Sequence, residues 1–138
     1  MADATANIAA TKRFGEIVNT GALDAFPEVV AEACVDNDPA PGQGPGPQGF
    51  KAFFTEMRTA FPDLKVEPET MLSEGDQVAF AYTLTGTHKG DFQGVAATGK
   101  SIEVRGMQIG RFEEGKMVER WGSSDELGIL KQIGAAPV

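Results

Sequence analysis

Apolar and polar positions change their spacing once along this chain. Over "TANIAATKRFGEIVNT" the residues Ile8, Phe14, Ile17 and Val18 fall roughly on one helical face, and Gly21 supplies a stop. Leu23, Phe26, Val29 and Val30 suggest a second, short helix, and "EACVDND" a short strand or an extended entry to a loop. "PQGFKAFFTEMRTAFPDL" carries the clearest helical stripe: Phe50, Phe53, Phe54, Met57 and Phe61, ended by Pro62. From there the period becomes two. "LKVEPETMLSEG" reads as a strand with Pro68 at an edge or bulge. In "QVAFAYTLTGTH" Val78, Phe80, Tyr82 and Leu84 make one face, and Ala79, Ala81, Thr83 and Thr85 the other. "DFQGVAATGK" is a long hairpin connection, and "SIEVRGMQIGRF" and "MVERWGSS" are two more strands. "DELGILKQIG" is a short final helix. Helices first and antiparallel strands after them predict an α+β fold, with the helices on one face of a curved sheet.

The last two strands are joined by Glu113-Glu114-Gly115, which reads as a three-residue loop with Gly in the left-handed position. Such a loop sets odd positions opposite odd ones. Arg105, Met107, Ile109 and Arg111 then share a face with Met117, Glu119, Trp121 and Ser123. Met107, Ile109 and Trp121 make the middle of that face apolar. It is taken as the concave side, under the helices. The even face (Gly106, Gln108, Gly110, Arg120, Gly122) then lies outside.

The string Gly44-Pro-Gly46-Pro-Gln-Gly49 matches G-x-G-x-x-G. A dinucleotide loop needs free backbone N–H groups facing a pyrophosphate, and Pro45 and Pro47 have none. No second βαβ unit follows. The pieces on either side cannot each form a domain, so the stretch is a loop and not a linker.

Length and charge narrow the function classes. At 138 residues, 1–138 reads as one domain. A net charge of -8 would repel nucleic acid and an anionic membrane surface. No apolar run approaches membrane-spanning length and the N-terminus has no apolar signal core; with Cys34 alone no intrachain disulfide can form, which fits a reducing cytoplasm. Cys34 is the only cysteine and His88 the only histidine, so no ligand set has metal spacing and no metal is expected.

Candidate chemistry centres on Asp125, which begins the last helix just beyond Trp121. It reads as a helix N-cap or as a carboxylate whose pKa is raised beside an indole, able to move a proton at neutral pH. Spacing alone favours the cap. Trp121 reads more often as core than as a substrate platform, Arg105 as half of a structural ion pair, and His88 as a turn or strand-end residue rather than a catalyst. Asn37 and Asp38 read as turn formers, and the phenylalanine stripe as core.

Three stretches in order resemble one family. "GPQGFKAFFTEMRTAFPDL" is similar to its G-x-x-G-F helix ending in Ala-Phe-Pro-Asp. "EGDQVAFAYTLTGTHKGDFQGVAATGK" is similar to its Gly-Asp-x-Val strand, Gly-Thr-His-x-Gly-x-Phe and Thr-Gly-Lys. "RFEEGKMVERWGSSDELGILKQIG" is similar to its Arg-x-x-x-Gly-Lys-x-x-Glu-x-Trp-x-x-x-Asp ending and Gln-x-Gly helix. The family is that of the SnoaL-like polyketide cyclases, or ester cyclases, within the nuclear-transport-factor-two-like superfamily. Where its members carry His-Asp-Pro this chain has Asn37-Asp38-Pro39.

The resemblance implies a cone-shaped, curved antiparallel sheet wrapped by helices around one deep pocket. It also implies a homodimer packed through the convex sheet face, and no cofactor. Asp125 would be the general acid/base of an intramolecular aldol closure on a small, apolar, carbonyl-containing molecule. Arg105 or Asn37 would polarise a carbonyl oxygen. Trp121, Met107 and Ile109 would pack the substrate, with His88, Tyr82 and Phe53 completing the pocket. The alternatives are a non-catalytic binding domain of the same shape and a hydrolase or isomerase, for which Glu119 is the one obvious second carboxylate.

Overall fold

The structure, a computed structural model, describes residues 3–135; Met1, Ala2 and residues 136–138, part of the expected domain, lie outside the described residues. Helix α1 (Ala4–Thr20) begins at Asp3, whose carboxylate accepts the Ala6 N–H, and stops at Gly21 in the left-handed region. The short second helix is a 3-10 turn, Leu23–Glu28, so Val29 lies beyond it and Val30 opens strand β1 (Val30–Asp36). Helix α2 (Gly46–Ala60) has Pro45 at its N-cap and Pro47 in its first turn, where a missing N–H costs nothing. Strands β2 (Lys65–Glu74), β3 (Gln77–Thr87), β4 (Ser101–Glu113) and β5 (Lys116–Ser124) follow, then helix α3 (Glu126–Gln132).

The sheet order is β1-β5-β4-β3-β2, antiparallel except that β1 joins β5 in parallel. The sheet is therefore mixed at one edge. No hairpin links β1 to its neighbour, so no turn dictates its direction. At the other edge β2 carries a register shift between Pro68 and Thr70, where the proline withholds a ladder donor.

The β4–β5 turn differs from expectation in detail. Glu113 pairs with Lys116, and the two turn residues Glu114 and Gly115 have φ of 51° and 76°, a type I′ turn. A bulge between Arg111 and Phe112 then restores the odd-to-odd register: Arg111 faces Glu119, Ile109 faces Trp121 and Met107 faces Ser123. The bulge turns Met117 to the other side, opposite Phe112, where it is buried.

The parity holds, but the odd face is the outer one. Met107 is 57% exposed and Ile109 41%, whereas Ile102, Val104, Gln108 and Phe112 are buried. The β3–β4 register explains this. Phe80 pairs with Gln108, Tyr82 with Gly106 and Leu84 with Val104, so the strongly apolar face of β3 carries the even residues of β4 inward with it.

Beneath the inner face, Phe14, Phe26, Phe50 and Phe54 form one aromatic cluster linking α1, the 3-10 turn and α2, with ring centroids 5.1–6.1 Å apart. Asn19 ties α1 to the β2 edge by exchanging two hydrogen bonds with the Val66 backbone. Helix α3 closes the free edge of β4 beyond β5. Arg105 carbonyl accepts the Asp125 N–H, and the Gln132 amide exchanges two hydrogen bonds with the Glu103 backbone, as a strand would. Ile129 and Ile133 are buried behind it. Among the described residues no helix is long and apolar enough to cross a membrane.

Candidate functional site

The expected site residues divide between the two faces of the sheet. Arg105, Met107, Ile109 and Trp121 lie on the outer face, not in a concave pocket. Arg105 is committed there to Glu69, 2.9 Å away, and Glu69 also accepts from the Thr83 hydroxyl. Asn37 is exposed at the sheet edge and bonds the Glu119 carboxylate and the Arg120 carbonyl. Both oxygens of Glu119 are thus taken, one by Asn37 and one by the Arg111 Nε at 3.2 Å. The Asn37 amide, then the Arg111 guanidinium, hold the Glu119 carboxyl below its ordinary pKa. An anion so satisfied is a poor base, and the hydrolytic reading loses its second carboxylate.

His88 is fully buried in the β3–β4 connection. Its Nδ1 accepts the Thr98 N–H, and its ring lies against Phe61, with centroids 5.6 Å apart. It sits six residues along β3 from Tyr82, roughly 20 Å, and locks the loop rather than facing the polar cluster. Phe53 is half-buried and packs edge-on against Phe54. Only Tyr82 of this group stands on the inner face of the sheet.

The inner face carries a cluster that the residue types alone did not advertise. Arg120 donates from Nε to the Gln108 Oε1 at 2.7 Å and from Nη1 to both oxygens of Asp36, at 3.0 and 3.2 Å. Both partners are largely enclosed, with side-chain exposures of 16% and 9%. The guanidinium lies over the Phe50 ring at 5.9 Å. Asp36 is saturated further by the Gln43 amide and the Asp38 N–H, and the Asp38 carboxylate in turn accepts the Gly122 N–H. The Pro/Gly loop is therefore fastened to the sheet at this ion pair. Gly46, where the loop enters α2, serves close packing: a Cβ there would meet the Glu32 carbonyl at 2.4 Å.

Tyr82 stands on the same inner face two rows further along, across from Gly106, which itself faces Ser124, whereas Arg120 lies across from Gly110. Burial pushes its phenol up, partly offset by the Arg120 charge, so it remains a proton donor at neutral pH. Cys34, also inward, has its thiol pushed up to about 11, chiefly by burial, and is chemically quiet.

Asp125 follows Ser124 and is exposed. Its Oδ1 accepts the Gly128 N–H at 2.8 Å, capping α3, while no hydrogen bond among the described residues uses Oδ2. The cap and an acid/base role are thus compatible, because each needs a different oxygen.

A groove among Asp63, Thr87, Ser101, Glu103 and Gln132 lies at the far end of β3 and β4, and in it Asp63 and Gln132 are already hydrogen-bonded to Thr87 and to the Glu103 backbone. Asp63 accepts the Thr87 N–H and hydroxyl, and these bonds hold its carboxyl below the ordinary value. Stability from that depressed pKa is present above the unfolded value, about 3.9, and is lost as pH falls through the folded one. Asp63→Asn should therefore make the melting temperature fall less steeply with acid between about pH 5 and 2. Parallel curves for the two proteins would refute that assignment.

The profile of the SnoaL-like polyketide cyclase family matches residues 8–133. Aklanonic acid methyl ester cyclase DauD of Streptomyces sp. (strain C5) is 29% identical over 127 residues, covering 89% of this chain and 78% of that one. IdmH of Streptomyces antibioticus is 28% identical with a TM-score of 0.81, over 93% of this chain and 98% of that one. TsrD of Streptomyces laurentii shares the fold with a TM-score of 0.89 at 22% identity, over 98% of this chain and 99% of that one.

Proposed function

The chain belongs to the SnoaL-like polyketide cyclase family, and from that premise we propose that it is a cofactor-independent cyclase. Its substrate would be a small polyketide-type ester closed by an intramolecular aldol step. The observation that carries this reading is the divided carboxylate of Asp125. One oxygen caps α3 and the other is unused, immediately after Ser124, the β5 residue that shares the row of Tyr82 and Gly106.

In this scheme Oδ2 of Asp125 takes a proton alpha to a carbonyl. The C–H electron pair becomes the enolate, its carbon attacks a second carbonyl of the same molecule, and the resulting alkoxide recovers a proton from the Asp125 carboxylic acid. Asp36 is a poor alternative base, because Arg120, Gln43 and the Asp38 N–H occupy its oxygens. General acid/base help of this kind supplies roughly 10²–10⁴-fold, and folding the chain into a reactive pose supplies the rest. Turnover of a panel of polyketide methyl esters by wild type and Asp125→Asn tests the proposal; binding without turnover by either protein would favour a non-catalytic ligand-binding domain.

The homodimer belongs to the same reading, with the outer face as its contact. Leu72, Ala79, Ile109 and Trp121 form one row of cross-strand partners, and Leu72 and Ile109 are exposed. Met107 lies beside the row, and the Arg105–Glu69 and Arg111–Glu119 pairs also lie on this face. A two-fold contact buries such a row against itself. Ile109→Glu should convert a sedimenting dimer to monomer; a wild type that is monomeric at tens of micromolar would refute the contact.

A further inference from the structure

Two glycines on the inner face yield their side-chain space to polar heads. A Cβ on Gly106 would lie 2.3 Å from the Tyr82 hydroxyl oxygen, and one on Gly122 would lie 2.3 Å from Nη2 of Arg120. Gly106 faces Ser124 and Gln108 faces Gly122, so the two glycines are diagonal neighbours, roughly 7 Å apart. Each head stands over its own glycine, so both face the same patch of the inner sheet. Among the described residues no hydrogen bond uses the Tyr82 hydroxyl or the Arg120 Nη2, although Nε and Nη1 of the same guanidinium are bound.

We propose that the Tyr82 hydroxyl and the Nη2 of Arg120 form a two-donor site for the paired oxygens of a β-dicarbonyl enolate. The inference rests on the cyclase reading and names the chemistry its substrate must carry. Gln108 and Asp36 fix the plane of the guanidinium and leave one N–H edge free. The Arg120 charge is balanced by Asp36 until the enolate arrives, and Asp36 itself is tied by Gln43 and the Asp38 N–H on the side of the loop. The phenol stays protonated and can donate. A delocalised O–C–C–C–O anion spreads its charge over two oxygens, which suits two donors side by side better than a single carbonyl does. No bond forms to either residue: the pair holds the electrons that proton removal leaves on the substrate.

The test uses benzoylacetone, a planar β-diketone whose enolate absorbs differently from its neutral form. Wild type should bind the enolate at least about tenfold more tightly than the neutral compound, lowering the apparent pKa of the bound probe by about one unit. Tyr82→Phe should lose roughly tenfold or more in enolate affinity, as expected for a hydrogen bond to a charged group, with neutral binding unchanged. Gly106→Ala, which displaces the phenol, should do the same. Equal affinity of wild type for both forms, or an equal loss of both in Tyr82→Phe, overturns the proposal. The two readings fail separately. If Asp125→Asn abolishes turnover while Tyr82→Phe keeps full enolate affinity, the donor pair is wrong and the cyclase stands. If the enolate preference depends on Tyr82 but no ester is cyclised, the reverse holds.

Discussion

Asp125→Asn should lower kcat by roughly 10²–10⁴-fold while KM and melting temperature hardly move. Asn is as good an N-cap as Asp, so the Gly128 N–H keeps its acceptor and α3 stays anchored. On the proposed reading, what is lost is the ability of the second oxygen to take and return a proton. Asp125→Ala separates the two roles from the other side. It should lose the same activity and, in addition, about 1 kcal/mol of stability from the missing cap. A purely structural Asp125 predicts the opposite pattern: full activity in the Asn variant, and losses in the Ala variant that track stability alone. Steady-state kinetics with thermal melts of the three proteins distinguish these outcomes.

Arg120→Leu should destabilise the protein by about 3–5 kcal/mol, because it leaves an enclosed carboxylate without its partner. Asp36 would keep only the Gln43 amide and the Asp38 N–H, and the Gln108 Oε1 would lose its donor. A fall in melting temperature on the order of 10 °C is expected for a chain of this size. Removing the carboxylate as well should restore much of the loss, so Asp36→Leu combined with Arg120→Leu should be markedly more stable than Arg120→Leu alone. Additive effects in that double-mutant cycle would mean that the pair is not coupled and that the loop is fastened elsewhere.

Much of the architecture was legible because period and punctuation agreed. The stripe from Phe50 to Phe61 and the alternation of Val78 to Leu84 each specify a local structure that packing did not override, whereas the turn at Gly115 was placed correctly but closes with two residues and not three. The parallel pairing of β1 was not legible, since its partner lies more than eighty residues away and no turn links them. The inversion of the sheet faces has a more instructive cause. In the middle of β4 and β5 the apolar residues Met107, Ile109 and Trp121 are outside, and the inside is made of Gly106, Gln108, Gly110, Arg120 and Gly122. Apolar content at the sheet centre therefore pointed outward, where the proposed partner would sit. The inner face is small and polar because Tyr82 and Arg120 need the room. The signal was present in β3: Val78, Phe80, Tyr82 and Leu84 define the core side, and extending that parity into β4 selects the even residues. Arg120 and Asp36 were missed for a related reason, since nothing in the local sequence brings two residues eighty-four positions apart into one ion pair. Asp125 was legible as a cap from its neighbours "SSDEL", but only the geometry shows that the cap uses a single oxygen.

On the proposed reading, substrate binds against the inner, even-numbered face and not against the outer row. Backbone amide shifts, followed while a polycyclic polyketide methyl ester is titrated into the protein, test it most directly. The account predicts that Tyr82, Gly106, Gln108, Arg120 and Gly122 move together and saturate with one affinity, while Met107, Ile109 and the Trp121 indole stay still. Saturable shifts at Met107, Ile109 and the Trp121 indole, with the Arg120 region unmoved, would contradict it.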